Sequence, residues 1–226
     1  MAVARLSDLV EVHSGLPKGR IADGDGDERS PTLLVSIRCL TNAGLVLPSP
    51  EEQLHVDLDA RGTPDKVLRA NDLLVSLRGT TFRVARVDAS ILGRAKGLAV
   101  VPDSNIGVLR LKHDVRVRLS GDEARQLSNL LLSWLSSPRT EARLVRSRAA
   151  SGAFLVRVAD LRTLGLPPGL TRLGRESSVE ARRIRLAADL IERAERSYRA
   201  SLEIANIRRD LAHRVTRDLL DDGSAG

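Results

Sequence analysis

Apolar and polar positions follow two regimes along the chain. Up to about residue 119 the apolar residues fall in short runs or alternate with polar ones, which predicts strands; beyond it they recur every three or four positions, which predicts helices. In the first regime "ARLSDLVEVHSG" enters a region rich in glycine and proline, "GLPKGRIADGDGDERSP", expected to be a long loop or hairpin excursion. "TLLVSIRCL" reads as a strand and "HVDLD" as a short alternating one. "DLLVSL" and "FRVARV" read as a pair joined across Arg78-Gly79-Thr80-Thr81. "LAVVP" and the alternating "VRVRL" are expected to add further β structure.

The second regime opens at Ser120, three residues before Glu123, a capping-box start. Leu127, Leu130, Leu131, Trp134 and Leu135 then share one helical face, and Pro138 follows. "PRTEARLVRSRA" is expected to form a second, basic helix ending near Ser151-Gly152, and "AFLVRV" to return to strand before "LRTLGLPPG" closes the globular part. The expected organisation is a domain over 1–168, a linker over 169–177, one long helix over 178–222 and a disordered tail over 223–226.

That helix contains neither proline nor glycine. Ile184, Ala187, Ile191, Ala194, Tyr198, Leu202, Ala205, Ala212, Val215 and Leu219 form a stripe close to heptad spacing, interrupted near Arg208 and Arg209. At ~1.5 Å per residue it would reach ~65 Å, longer than the globular part covers. A second helix beside it, from another copy of the chain, is the expected partner; folding back on its own domain is the alternative.

The composition narrows this picture. With 226 residues, 42% hydrophobic and 29% charged, the chain has room for one core plus an appendage. Aromatics are only 2%, so the core has to come from Leu, Val, Ile and Ala. The net charge of +7 rests on arginine, since lysine occurs only at Lys18, Lys66, Lys96 and Lys112. A polyanionic partner fits that balance, although scattered arginine also follows from genome base composition. The single Cys39 cannot form an intramolecular disulfide and is expected to be a buried, inert thiol. No long apolar span or cleavable leader is apparent, so no membrane association and a soluble, cytoplasmic protein are expected.

Signatures of catalysis are absent. His13, His55, His113 and His213 stand far apart, outside any zinc spacing. "DGDGDE" at 23–28 starts like a calcium loop, but Glu28 stands where the glycine belongs and Leu34 where the closing glutamate belongs. Neither GxxxxGK[ST], a strand-borne GxGxxG nor GxSxG occurs. No enzyme activity, metal or cofactor is therefore expected. What remains is arginine at loop ends. Arg78 and Arg83 flank the tight turn with Thr80 and Thr81; Lys18 and Arg20 lie in the first glycine-rich loop; Arg143, Arg146 and Arg148 precede Ser151-Gly152. Arginine there can contact phosphates or pair with guanine, and Gly19, Gly79 and Gly152 permit close approach.

Four stretches, in order, resemble the target-recognition domain of type I restriction-modification specificity (S) subunits: "RLSDLVEVHSGLP", "LLVSIRCLTNAGLV", "LRANDLLVSLRGTTFRVARV" and "LLLSWLSSPRTEARLVRSRAASGAFLVRVADLRTLGLPP". The resemblance implies an α+β fold: a β-rich DNA target-recognition domain with packed short helices, followed by a long C-terminal dimerisation helix. Half of an S subunit is what this chain matches, because S subunits usually carry two such domains and two helices. By that likeness it would be a non-catalytic, sequence-specific reader of double-stranded DNA. It would form a homodimer through the coiled-coil helix, recognise an interrupted palindrome, and direct an adenine methyltransferase (M) subunit and a motor-nuclease (R) subunit in phage defence. It departs from the family where "PPGLTRLGRESSVEARRI" inserts a linker and lacks the Glu-Gln that usually opens the helix. The competing readings are an S-like protein-interaction or regulatory remnant that no longer reads DNA, and an enzyme whose site lacks a sequence signature.

Overall fold

The computed structural model describes residues 4–17, 21–22, 30–58, 63–146, 148–167 and 170, together with 186–187, 189–191, 193–194, 197–198, 200–201, 204–205, 207–208 and 211. The architecture is α+β. A four-stranded sheet, wholly antiparallel, has the order β1 (Val10–Ser14), β11 (Ile106–Leu111), β7 (Leu73–Ser76), β9 (Val84–Arg86). A second has the order β10 (Ala99–Pro102), β3 (Ser30–Val35), β6 (Leu54–Val56), β2 (Ile21–Ala22), with β10 parallel to β3 and the other pairs antiparallel. Two ribbons complete the β structure: β4 (Leu40–Thr41) with β5 (Gly44–Leu45), and β8 (Arg78–Gly79) with β12 (Phe154–Leu155). The helices are α1 (Ala89–Gly93), α2 (His113–Arg116), α3 (Gly121–Leu135), α4 (Pro138–Leu144) and α5 (Val158–Arg162).

The first sheet lies at the centre because its strands carry apolar residues on both faces. Leu73, Val75, Leu109, Val10 and Val12 point one way, onto Leu127, Leu131 and Leu135 of α3 and Leu161 of α5. Leu74, Ala85, Ile106 and Val108 point the other way, onto Leu33, Val35 and Val100 of the second sheet. Every residue of β7 is buried, as a strand covered on both faces requires. The largest fully buried side chains are all Leu or Ile, as the scarcity of aromatics demands.

The pairing of β7 with β9 and the start of α3 match the sequence expectation. Ser120 Oγ accepts from Glu123 N–H (3.2 Å) and Ser120 N–H donates to Glu123 Oε2 (3.0 Å). This cap is worth about 1 kcal/mol, whereas each fully buried leucine contributes about 1.5–3 kcal/mol, so the leucine face holds α3 in place and the cap sets where it begins. Other elements differ. "VRVRL" is not a strand: α2 covers its start, and Val115 and Leu119, four apart, turn to the core while Val117 is 64% exposed. The alternation was incidental to helical spacing. The basic helix ends at Leu144, short of Ser151, and "AFLVRV" keeps only two strand residues before α5. Cys39 is half-buried, with its Sγ 3.9 Å from Ser36 Oγ.

The glycine-rich excursion beyond Pro17, apart from β2, lies outside the described residues, as does "DGDGDE". So do the expected tail and the linker, except Leu170, which is buried in the core below the first sheet. Each described residue between 186 and 211 is helical. Gln126 Nε2 of α3 donates to Asp189 Oδ1 (3.2 Å), linking these residues to the body. Among the described residues no helix is long and apolar enough to cross a membrane.

Candidate nucleic-acid interface

At the end of β7 the chain leaves the central sheet. Ser76 N–H donates to Arg83 O (2.9 Å) and Arg83 N–H to Ser76 Oγ (2.8 Å), closing the base of the excursion. Between them β8 turns aside and pairs with β12, Gly79 opposite Phe154 and Arg78 opposite Leu155. Gly79 makes this turn with φ +136°, a conformation L side chains rarely adopt, and a Cβ there would stand 2.9 Å from Ile37 Cδ1. Phe82 meets Phe154 edge to face, centroids 6.0 Å apart, and anchors the turn in the core.

Arg148 braces the two ribbons. Its Nη1 donates to Thr80 O (2.8 Å) and Gly152 O (3.2 Å), its Nη2 to Glu141 Oε1 (3.1 Å), and its guanidinium lies 5.5 Å from the centre of the Phe154 ring. Arg83 acts similarly on the other side, donating through Nη1 to Leu40 O (2.6 Å), which ties the β4–β5 hairpin to the turn. No local pattern marks that hairpin's place beside the turn, because Leu40 and Arg83 are 43 residues apart.

The expected site residues thus separate into two groups. Arg83 and Arg148 are committed to protein acceptors and position the loops. Arg78, Thr80, Thr81 and Ser151 are exposed, and their side chains have no hydrogen-bond or ion-pair partner among the described residues. Arg146 is also exposed, with one long bond from Nε to Arg143 O (3.4 Å). Turn and loop come together through β8–β12 pairing, presenting cations and hydroxyls on a rigid edge. Lys18 and Arg20 lie outside the described residues.

Of the expected dimerisation stripe, Ala187, Ala194, Tyr198 and Ala205 are exposed and Ile191 is half-buried, while Ile184, Leu202, Ala212, Val215 and Leu219 lie outside the described residues. Leu186, Leu190, Ile204, Ile207 and Leu211 are also exposed, each by more than half. Their spacing follows the same four-and-three rhythm on a neighbouring face. Among the described residues no group of three or more His, Cys, Asp or Glu side chains is placed to hold a metal ion.

No protein-family model and no curated protein matches the sequence. Several solved structures resemble the chain, two of them as follows. One is the crystal structure of the HsdS subunit from Thermoanaerobacter tengcongensis, 17% identical over 88% of this chain and 39% of that one, with a TM-score of 0.44. The other comes from work on the structural basis of complex assembly and conformational transition of the type I R-M system. It is 15% identical over 89% of this chain and 42% of that one, with a TM-score of 0.38. The chain therefore spans about two fifths of the length of the structures it matches.

Proposed function

We propose that the chain is a non-catalytic, sequence-specific DNA-binding specificity subunit of a type I restriction-modification-like system. The observation that carries this reading is the Arg148-braced turn, which leaves Arg78, Thr80 and Thr81 facing solvent on a scaffold that fixes their positions. Phosphate contacts position a protein on the duplex, and side chains reaching base edges specify sequence. Arginine and threonine on one rigid edge supply both. The ordered sequence stretches that resemble S-subunit recognition domains support the same conclusion.

The reading includes homodimerisation through the helical segment that follows the domain, supported by the exposed Leu186, Leu190, Ile204, Ile207 and Leu211. A two-fold protein reads a two-fold site, so the target would be an interrupted palindrome. The partner is an adenine methyltransferase subunit, with or without a motor-nuclease. Affinity selection from a random duplex library, run with and without the candidate methyltransferase, tests all of this. The expected product is two inverted half-sites at a fixed spacing. No enrichment in either arm, even at low salt, would make the chain an S-like interaction remnant; an asymmetric site would mean a different chain supplies the other half.

A further inference from the structure

A cleft of about 610 Å³ runs along β1, the edge of the central sheet opposite the β7–β9 turn. β1 and β9 are the two edges of that sheet, so the cleft and the β7–β9 turn lie towards opposite edges. Five cationic side chains line it: Lys66, Arg69, Arg110, Lys112 and Arg162. Among the described residues of its lining, Glu11 and Asp65 are the acidic ones.

Three of the five cations are held in place by the protein. Arg110 pairs with the buried Asp72, Arg162 donates to Val12 O through Nε (3.2 Å) and Nη2 (2.7 Å), and Lys66 Nζ donates to Ser14 O. The carbonyls that fix Arg162 and Lys66 carry no formal charge of their own. The side chains of Arg69 and Lys112 have no hydrogen-bond or ion-pair partner among the described residues, although Lys112 is half-buried. A half-buried ammonium without a partner carries a desolvation cost that a bound anion would relieve. Burial pushes the His13 imidazole below its ordinary value, and the charges of Lys66 and Arg110 push the same way, while its bond to Ser14 O and the Asp72 charge oppose the shift.

We propose that this cleft is a binding site for a phosphate-bearing ligand, with Arg69 and Lys112 as the arms that close on it. Its volume falls in the range of small-ligand sites, ~300–1,000 Å³, large enough for a nucleotide and open enough for one stretch of a sugar-phosphate backbone. The site does not depend on the DNA-reading edge, because none of its cations belongs to the turn.

The test is calorimetric titration of the full chain with inorganic pyrophosphate at constant ionic strength, on wild type, Arg69→Gln/Lys112→Gln, Glu11→Gln and Arg78→Ala. Wild type and Arg78→Ala should bind saturably and alike; the double variant should bind at least about tenfold more weakly, because charge-assisted bonds to phosphate are lost. Glu11→Gln, which removes an opposing charge, should bind more tightly. A second arm titrates pyrophosphate against a pre-bound 20-base-pair duplex, a length of about two helical turns. Competition would identify the duplex backbone as the source of the phosphate, and independent binding a free phosphate ester. Absence of binding to wild type, or undiminished binding to the double variant, overturns the proposal. Failure of duplex binding alone leaves the pyrophosphate result standing and counts against the DNA-reading function instead.

Discussion

Arg110 and Arg148 do nearly the same thing in two very different places. Each donates to two backbone carbonyls and one carboxylate, and each draws together segments far apart in sequence. Arg110 joins β11 to Asp65 O (2.9 Å), Val67 O (2.7 Å) and both oxygens of Asp72 (2.9 and 2.7 Å). Arg148 joins its loop to Thr80, Gly152 and Glu141. The Arg110–Asp72 pair is buried, with side chains 11% and 2% exposed, whereas the Arg148–Glu141 pair is 40% and 37% exposed. Solvent decides the consequence. A buried pair is costly to form and more costly to break, while water screens an exposed pair to little net worth. The first network therefore holds the fold, and the second holds the shape of a surface.

Breaking the buried network should have the largest effect. Asp72→Ala strands the Arg110 guanidinium and removes the acceptor of Arg69 N–H (2.8 Å). A loss of about 3–5 kcal/mol is expected, read as a fall in melting temperature of roughly 6–20 °C for a domain of this size. A melting point within a couple of degrees of wild type would refute the contrast. Arg148→Ala comes next, with the opposite profile. Stability should change by no more than about 1 kcal/mol, while duplex binding weakens as much as in Arg78→Ala, because the turn loses its brace. Arg148→Lys should fail to restore binding, since an ammonium lacks the planar fork; full duplex affinity in Arg148→Ala would show that the brace is dispensable.

The smallest effect concerns His13, which borders the Arg110 network. Its pKa is lowered from 6.5 by burial, then by Lys66 and Arg110, while its bond to Ser14 O and the Asp72 charge oppose the shift. The unfolded chain thus binds a proton more readily than the folded one between the depressed value and 6.5. Stability should be fully present above that window and fall as pH drops through it. In His13→Gln the fall should be shallower, measured by urea unfolding across the window; an unchanged slope would assign the acid sensitivity to other groups.

What could be read from the sequence was local. The β7–β9 hairpin announces itself through Asp72, two apolar runs and Gly79 between them, and α3 through a capping box and leucines at helical spacing. The central strand β11 carries no such local signal. Covered on both faces, "IGVLRL" has no alternation to detect, and Gly107 in its middle looks like a break. The glycine is there for space, since a Cβ would lie 3.1 Å from Leu77 Cδ2. The Arg110–Asp72 pair spans 38 residues and the Arg148–Thr80 contact 68, separations that only the folded chain closes. The basic cleft is illegible in the sequence for the same reason: Lys66 and Arg69, Arg110 and Lys112, and Arg162 come from three separate parts of the chain. Arg148 was singled out for its charge, and only its geometry shows it as a support for Arg78 and Thr80.

The two cations that reach the carbonyls of β1 have a further effect on how the molecule behaves in company. As the last strand of the central sheet, β1 turns a row of main-chain groups outward, a template on which a strand from another molecule could build. Arg162 already occupies the Val12 carbonyl and Lys66 the Ser14 carbonyl. An incoming strand would have to displace both and lay its backbone beside two positive charges. The edge is thereby closed to sheet-to-sheet aggregation, and copies of the protein have to associate by some route other than β1.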